Sequence, residues 1–365
     1  MNKPSTIKYF LILIFTAFLV WGLPQYGNAA EKAPGFPQGV SVPLKVGVSM
    51  YVTSLNKITE GAGIFDANMD LRLRWNDPSL IFDAKINGSG VMEFSQEAAK
   101  AKLDSIWTPK LTIVNMSEKD SKIEKGLFIY ADGTVEYIQR MKGVFEQKYR
   151  TNGFPFDVQG LSIRLTSNQF NINDIQLVQE QQDINSSGLS DKLKLSGWNV
   201  KRLEFSSSRM QGWNGDFYPV MEGKIIVSRL PLSHIISLLA PFLLVLIVPT
   251  ILTLYVKADI APRITAWGAS IMALIALNFT FTLRYNYLDA ESFVAQLMNM
   301  GFCFQLIMVF LALTILNPGV ADTLSKKIKN EHVIPALITV MRWLVPIFFI
   351  TIIIYRALMI GYSQL

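Results

Sequence analysis

The sequence predicts two unlike halves, an all-β sandwich of immunoglobulin-like type outside a membrane and an all-α bundle of four transmembrane helices. Three observations predict them. Half of the 365 residues are hydrophobic, but they concentrate near the N-terminus and after Leu230. Between about residue 40 and Arg229 the chain instead runs in short alternating stretches separated by turn residues, the mark of strands with one buried face. After Leu230 come four apolar stretches, at about 230–256, 264–283, 292–316 and 333–360, each long enough to cross a bilayer.

In chain order, residues 1–30 read as a secretory signal. Lys3 and Lys8 supply the positive start, 9–21 the apolar core and Gly27-Asn28-Ala29-Ala30 the small cleavage site. The stretch 31–229 then forms a domain exported across the membrane. Within it 46–52, 70–75, 126–130, 134–138 and 161–165 are period-two runs, and Ala131-Asp132-Gly133 is a hairpin turn. Only 95–104 reads as a helix. Many short strands of this kind argue for a sandwich.

The helical half is 230–365. Lys326, Lys327 and Lys329 place the connection 317–332 in the cytoplasm, and four crossings then leave the sandwich and the C-terminal tail on the other side. Pro231, Pro241 and Pro249 fall in the first apolar stretch, where membrane helices tolerate proline if neighbours satisfy the freed carbonyls.

Composition excludes several functions. The net charge of +6 is scattered, with no basic helix or aromatic-basic stripe, so no nucleic-acid partner is expected. The single cysteine, Cys303, reads as a small buried hydrophobe, and two histidines are too few for a zinc cluster. No phosphate loop, dinucleotide signature or nucleophile elbow is present, so no cofactor, metal or catalytic residue is expected.

The stretch between Arg263 and Arg284 is the most informative. About twenty uncharged residues lie between the two arginines. At helical spacing Thr265, Ala269, Met272, Ala276 and Phe279 share one stripe, running from a hydroxyl through small side chains to bulky ones. Such a stripe suits close helix packing. It also suits a pore wall with a polar narrow end and a hydrophobic gate, although on this segment alone close packing is the favoured reading.

The combination resembles the pentameric ligand-gated ion channels, or Cys-loop receptors. Trp75-Asn76-Asp77 resembles the family's Trp-x-Asp, and Trp107-Thr108-Pro109 its Trp-x-Pro. Phe154-Pro155-Phe156-Asp157 with Gln159 is similar to its signature loop. Gln147 and Leu161 stand where the loop cysteines of eukaryotic members would be, as in bacterial members. The resemblance implies a ring of five identical subunits in a lipid bilayer, with the second helix lining the pore at Thr265, Ala269, Met272, Ala276 and Phe279. It makes Arg229 the arginine at the domain junction and Glu60 its acidic partner. With Phe154, Pro155, Phe156 and Asp157 these would couple sandwich to helices, Phe-Pro-Phe acting as a plug in which Pro155 is a candidate cis residue.

Charges at the pore mouths are Asp259, Arg263 and Arg284. Ala261-Pro262-Arg263 is similar to the Pro-Ala-Arg of anion-selective members, while bacterial relatives mostly pass cations, so the two arguments offset each other. The family's aromatic box for cationic agonists is replaced by Asp70, Asn115 with Met116, and Asn168; only 206–218 offers aromatics, in Trp213, Phe217 and Tyr218. The expected agonist is an unidentified small molecule, a proton or an ion. The reading is a ligand-gated channel of a bacterial inner membrane. A periplasmic sensor or scaffold with a non-conducting bundle is the alternative, and short loops without an output domain weigh against it.

Overall fold

The computed structural model describes residues 35–119, 124–256, 259–286, 288, 290, 292–314, 317–328 and 332–362. The expected signal segment 1–30 lies outside the described residues. Among the described residues twelve strands form two sheets. The larger runs β10 (Gly188–Leu189), β1 (Leu44–Thr59), β2 (Ile64–Asn76), β7 (Thr134–Glu146), β6 (Glu124–Tyr130), β3 (Val91–Ser95), with β9 (Ile175–Val178) on β1 and β5 (Met116–Lys119) on β7. The smaller runs β11 (Trp198–Gln211), β12 (Phe217–Arg229), β8 (Val158–Ser167), β4 (Leu111–Ile113).

Alternation builds the core. On β2 every second residue from Phe65 to Trp75 is buried, and Val46, Val48, Met50 and Val52 of β1 lie beside them. Leu161, Ile163 and Leu165 of β8 and Met221, Ile225 and Val227 of β12 close the sandwich from the other sheet. The tryptophans of the two sequence motifs are packing residues: Trp75 and Trp107 meet edge-on at 6.1 Å. Asp77, the end of the first motif, caps the following turn by accepting from the Ser79 amide at 3.0 Å and its hydroxyl at 2.6 Å. The expected hairpin is present, and Gly133 sits in it at φ 81, with the Asp77 carbonyl where a Cβ would go. The helix Gln96–Ser105 matches the one expected; the helical turns Ala84–Asn87 and Gln181–Asn185 are additional.

Among the described residues, four helices long and apolar enough to span a membrane follow. The first enters through a wide π-type turn, Ile235–Leu239, into Ala240–Leu254, with Pro249 inside. The second, Ile260–Arg284, is longer than the uncharged stretch suggested. The third, Phe293–Leu313, is the most buried, and Gly301 admits the Phe242 ring of the first helix where a Cβ would lie 2.7 Å from it. The fourth, Val333–Tyr362, packs with Ile338, Met341, Val345, Phe349 and Ile353, and turns Trp343, Leu344, Ile347 and Phe348 outward.

Two expectations change. Cys303 is exposed, on the outward stripe of the third helix with Leu306 and Phe310, rather than buried. The stripe repeats at three and four residues, so it turns one whole face away from the bundle. The connection between the third and fourth helices is itself helical at Pro318–Ile328. Pro318 suits a first helical turn, where its missing N–H is no loss.

Candidate coupling and pore site

The candidate side chains fall into three groups. At the junction, Arg229 ends β12 and sits between two carboxylates. Its Nε donates to Asp157 Oδ1 at 2.7 Å and its Nη2 to Asp157 Oδ2 at 3.1 Å. Its Nη1 donates to Glu60 Oε2 at 3.3 Å, and its Nη2 also donates to Glu60 Oε1. Glu60 belongs to the turn Glu60–Ala62 between β1 and β2. Two rings flank the guanidinium, Trp198 at 4.2 Å and Phe154 at 4.8 Å from their centroids. Burial opposes the charge on Arg229, but the bonds it donates to Asp157 and Glu60 outweigh it and hold the guanidinium above its ordinary range. Burial, with the Glu60 charge nearby, likewise pushes up the Tyr149 phenol, which donates to the Ile64 carbonyl at 2.8 Å.

Sequence reasoning proposed a pair; the structure holds a triad boxed by aromatics. Trp198 carries no motif and was missed.

The loop bearing Phe-Pro-Phe-Asp reaches the helices through one ring. The peptide before Pro155 is cis. Phe154 is buried among the membrane-helix core, 5.3 Å from the His234 ring and 5.0 Å from that of Tyr285. His234 Nδ1 and the Tyr285 hydroxyl lie 2.9 Å apart, joining the start of the first spanning helix to the end of the second. Phe156, by contrast, is exposed in the single chain, so within one subunit Phe154 alone of the two rings enters the helix core. The chain turns at Pro155 and carries the next side chain away from the bundle.

Amides close this loop where cysteines are absent. Gln147 Oε1 accepts from the Ser162 amide at 2.9 Å, beside Leu161. Gln159 accepts from the Arg150 amide at 3.1 Å, donates to the Arg150 carbonyl at 2.6 Å and donates to Asp157 Oδ2 at 2.7 Å.

The second group is the second spanning helix. Trp267, Ser270, Leu274 and Phe281 are its buried stripe, facing the first and third helices. Thr265, Ala269, Met272, Ala276 and Phe279 are all exposed in the single chain, Met272 by 68% and Phe279 by 66%. Asp259 stands exposed just ahead of the helix. Arg263 is half-buried, its Nη2 donating to the Val256 carbonyl at the end of the first spanning helix, 3.4 Å away. Arg284 lies over the Tyr285 ring at 5.5 Å.

The third group, the candidate ligand residues, is dispersed. Asp70 on β2 accepts two bonds from Arg140, at 2.8 and 3.0 Å. Trp213, Phe217 and Tyr218 lie on the β11–β12 hairpin of the other sheet, with Trp213 wholly exposed and Phe217 under Arg209 at 4.7 Å. Tyr218 accepts from Asn214 Nδ2 at 3.2 Å. Asn168 is exposed after β8.

Asn115 must be corrected: it is buried and every side-chain group is committed. Its Nδ2 donates to the Glu146 carbonyl at 2.9 Å and the Ser162 carbonyl at 2.7 Å, while its Oδ1 accepts from the Arg164 amide at 3.0 Å. Glu146 belongs to one sheet and the other two to its partner, so Asn115 staples the sandwich. Asn115→Ala leaves three partly buried main-chain groups without that partner, at a cost of about 1–3 kcal/mol. The expected result is a lower thermal-denaturation midpoint of the full chain, with the ligand response of the assembled fraction unchanged.

A family model for the "Neurotransmitter-gated ion-channel ligand binding domain" matches residues 32–231. Among similar proteins, a "Proton-gated ion channel" of Gloeobacter violaceus is 25% identical over 265 residues, 71% of this chain and 69% of the relative. "Neuronal acetylcholine receptor subunit alpha-3" of Carassius auratus is 26% identical over 285 residues, 76% of this chain and 52% of the relative. Its Homo sapiens counterpart is 25% identical over 280 residues, 76% and 53%. The chain thus spans about half the length of these two receptor subunits. A matched sandwich, four span-capable helices and an arginine junction between them make one statement: the chain belongs to the neurotransmitter-gated, or pentameric Cys-loop, ion-channel family.

Proposed function

We propose that five copies of this chain surround an ion-conducting pore in a bacterial inner membrane, opened by a ligand acting on the periplasmic sandwich. The second spanning helix lines that pore through Thr265, Ala269, Met272, Ala276 and Phe279. One observation carries the reading. The helix is split lengthwise into a buried stripe ending in Phe281 and an exposed stripe containing all five residues. An exposed stripe that begins in threonine and contains alanines suits water better than lipid, and a ring of Met272 and Phe279 makes a gate that closes by dewetting.

Coupling runs from Glu60 and Asp157 through Arg229 and Phe154 to Tyr285 and His234. A ligand that moves the sandwich changes the balance between two packings of this junction. The position of Arg263 against the Val256 carbonyl supports a ring that leaves the permeant ion to be chosen elsewhere along the helix. The relative named proton-gated makes protons the first agonist to try.

Reconstitution of the full chain into planar bilayers tests the reading, with reversal potentials in asymmetric salt across a pH series and a panel of small molecules and divalent ions. Unitary currents that one of these agents opens are expected. A bilayer that stays silent under the whole panel, with protein shown to be inserted, favours a sensor or scaffold instead.

A further inference from the structure

The back of the second spanning helix carries a polar junction that the pore reading does not use. Ser270 Oγ donates to the Val245 carbonyl of the first spanning helix at 2.6 Å. Gln305 Nε2, on the third, donates to the same Ser270 oxygen at 2.6 Å. Three helices therefore meet at one hydroxyl inside the apolar bundle.

The identity of the accepting carbonyl explains the junction. In an unbroken helix the Val245 carbonyl would accept from the amide four residues on, but residue 249 is proline and has no N–H. A carbonyl left without a partner in hydrocarbon is costly. Ser270 fills the vacancy from the neighbouring helix. Gln305 is 1% exposed, and its Oε1 has no partner among the described residues, so the junction is held by single bonds and not by a redundant network. One turn away, Trp267 Nε1 donates to Thr253 Oγ1 of the first helix at 2.8 Å, fixing the same face.

Ser270 sits one residue after Ala269 and two before Met272. Rotation of the helix that moves the exposed stripe must stretch or break its bonds to Val245 and Gln305. We infer that Ser270 is a positioning residue: it sets the rotational state of the second helix by bonding the carbonyl that Pro249 leaves free, and Gln305 reinforces that bond. The inference rests on the pore reading for the face that rotation moves.

The test places a single cysteine at Ala269 in a Cys303→Ser background and measures its modification by a cationic methanethiosulfonate reagent in the full chain reconstituted in liposomes. Assembly is checked by size-exclusion chromatography. Ser270→Ala is expected to change the rate by about three- to fifteen-fold, the range that single hydrogen bonds between membrane helices supply. Ser270→Thr keeps the hydroxyl and the parent rate. Gln305→Met gives a smaller change in the same direction as Ser270→Ala. Pro249→Ala restores an N–H for the Val245 carbonyl, so Ser270→Ala added to it loses most of its effect.

That non-additivity distinguishes a specific bond from general loosening, and it is read on whichever variants assemble. Equal rates in every background, or a Ser270→Ala effect of the same size with and without Pro249, overturn the inference while leaving the pore reading intact. No modification in any background overturns the pore reading as well.

Discussion

Arg229→Gln will abolish the agonist-opened current and will lower the yield of assembled protein. The substitution leaves the Asp157 carboxylate, 1% exposed, and that of Glu60, 12% exposed, without their cation. Removing one partner of a buried ion pair costs about 3–5 kcal/mol, because the remaining charge stays desolvated. Arg229→Lys will not rescue it, since a lysine presents one point charge where two carboxylates are bridged by a planar fork. The measurement is current per assembled channel, from bilayer recording together with chromatography of the solubilised particle.

A reciprocal charge exchange between Glu60 and Arg229 would be a poor test of coupling, because it sets a new carboxylate against Asp157. Single carboxamides separate the roles. Asp157→Asn loses the chelated, fully buried side of the triad and will act mainly on assembly. Glu60→Gln touches the more open side, on the turn between β1 and β2, and will act mainly on the agonist concentration or pH at half-activation. If Glu60→Gln leaves that midpoint where it was while the protein assembles normally, the triad is a structural brace and not a coupling element.

Met272→Ser and Phe279→Ser will each raise the current that flows without agonist. Both positions replace a bulky apolar side chain on the exposed stripe by a hydroxyl that water can wet, and dewetting is the physical basis of a hydrophobic gate. In a symmetric ring each change is repeated in every subunit, so effects on the barrier multiply. Reciprocal changes on the buried stripe, such as Leu274→Ser, will instead reduce assembly. Resting conductance in planar bilayers before any agonist is added provides the check. Parent-like resting currents in both variants would remove Met272 and Phe279 from the gate.

What was legible in the sequence follows from periodicity. On β2 the alternation of Phe65, Ala67, Met69, Leu71, Leu73 and Trp75 is the hydrophobic effect written at period two, and it places the strand and its buried face together. The second spanning helix was legible for the same reason at a different period: uncharged length gave its existence, and spacing gave its stripes.

Bonds between a side chain and the main chain leave no such trace. Asn115, Gln147 and Gln159 stand out in sequence only by the positions they occupy, and only the folded chain brings the carbonyls and amides they satisfy into reach. Trp198 was invisible because its contact with Arg229 spans the β11–β12 ladder and has no fixed spacing that identifies it. The helix Pro318–Ile328 could have been found: Val320, Leu324 and Ile328 repeat every four residues, but the Asn-Pro-Gly before them reads as a turn.

Closing the loop around residues 154–157 with glutamine amides instead of sulfur frees the chain from oxidative maturation. It needs neither thiol oxidase nor isomerase to finish this connection, and dithiothreitol finds no bond there to cut. Hydrogen bonds of this kind, unlike a disulfide, exchange without a chemical reaction.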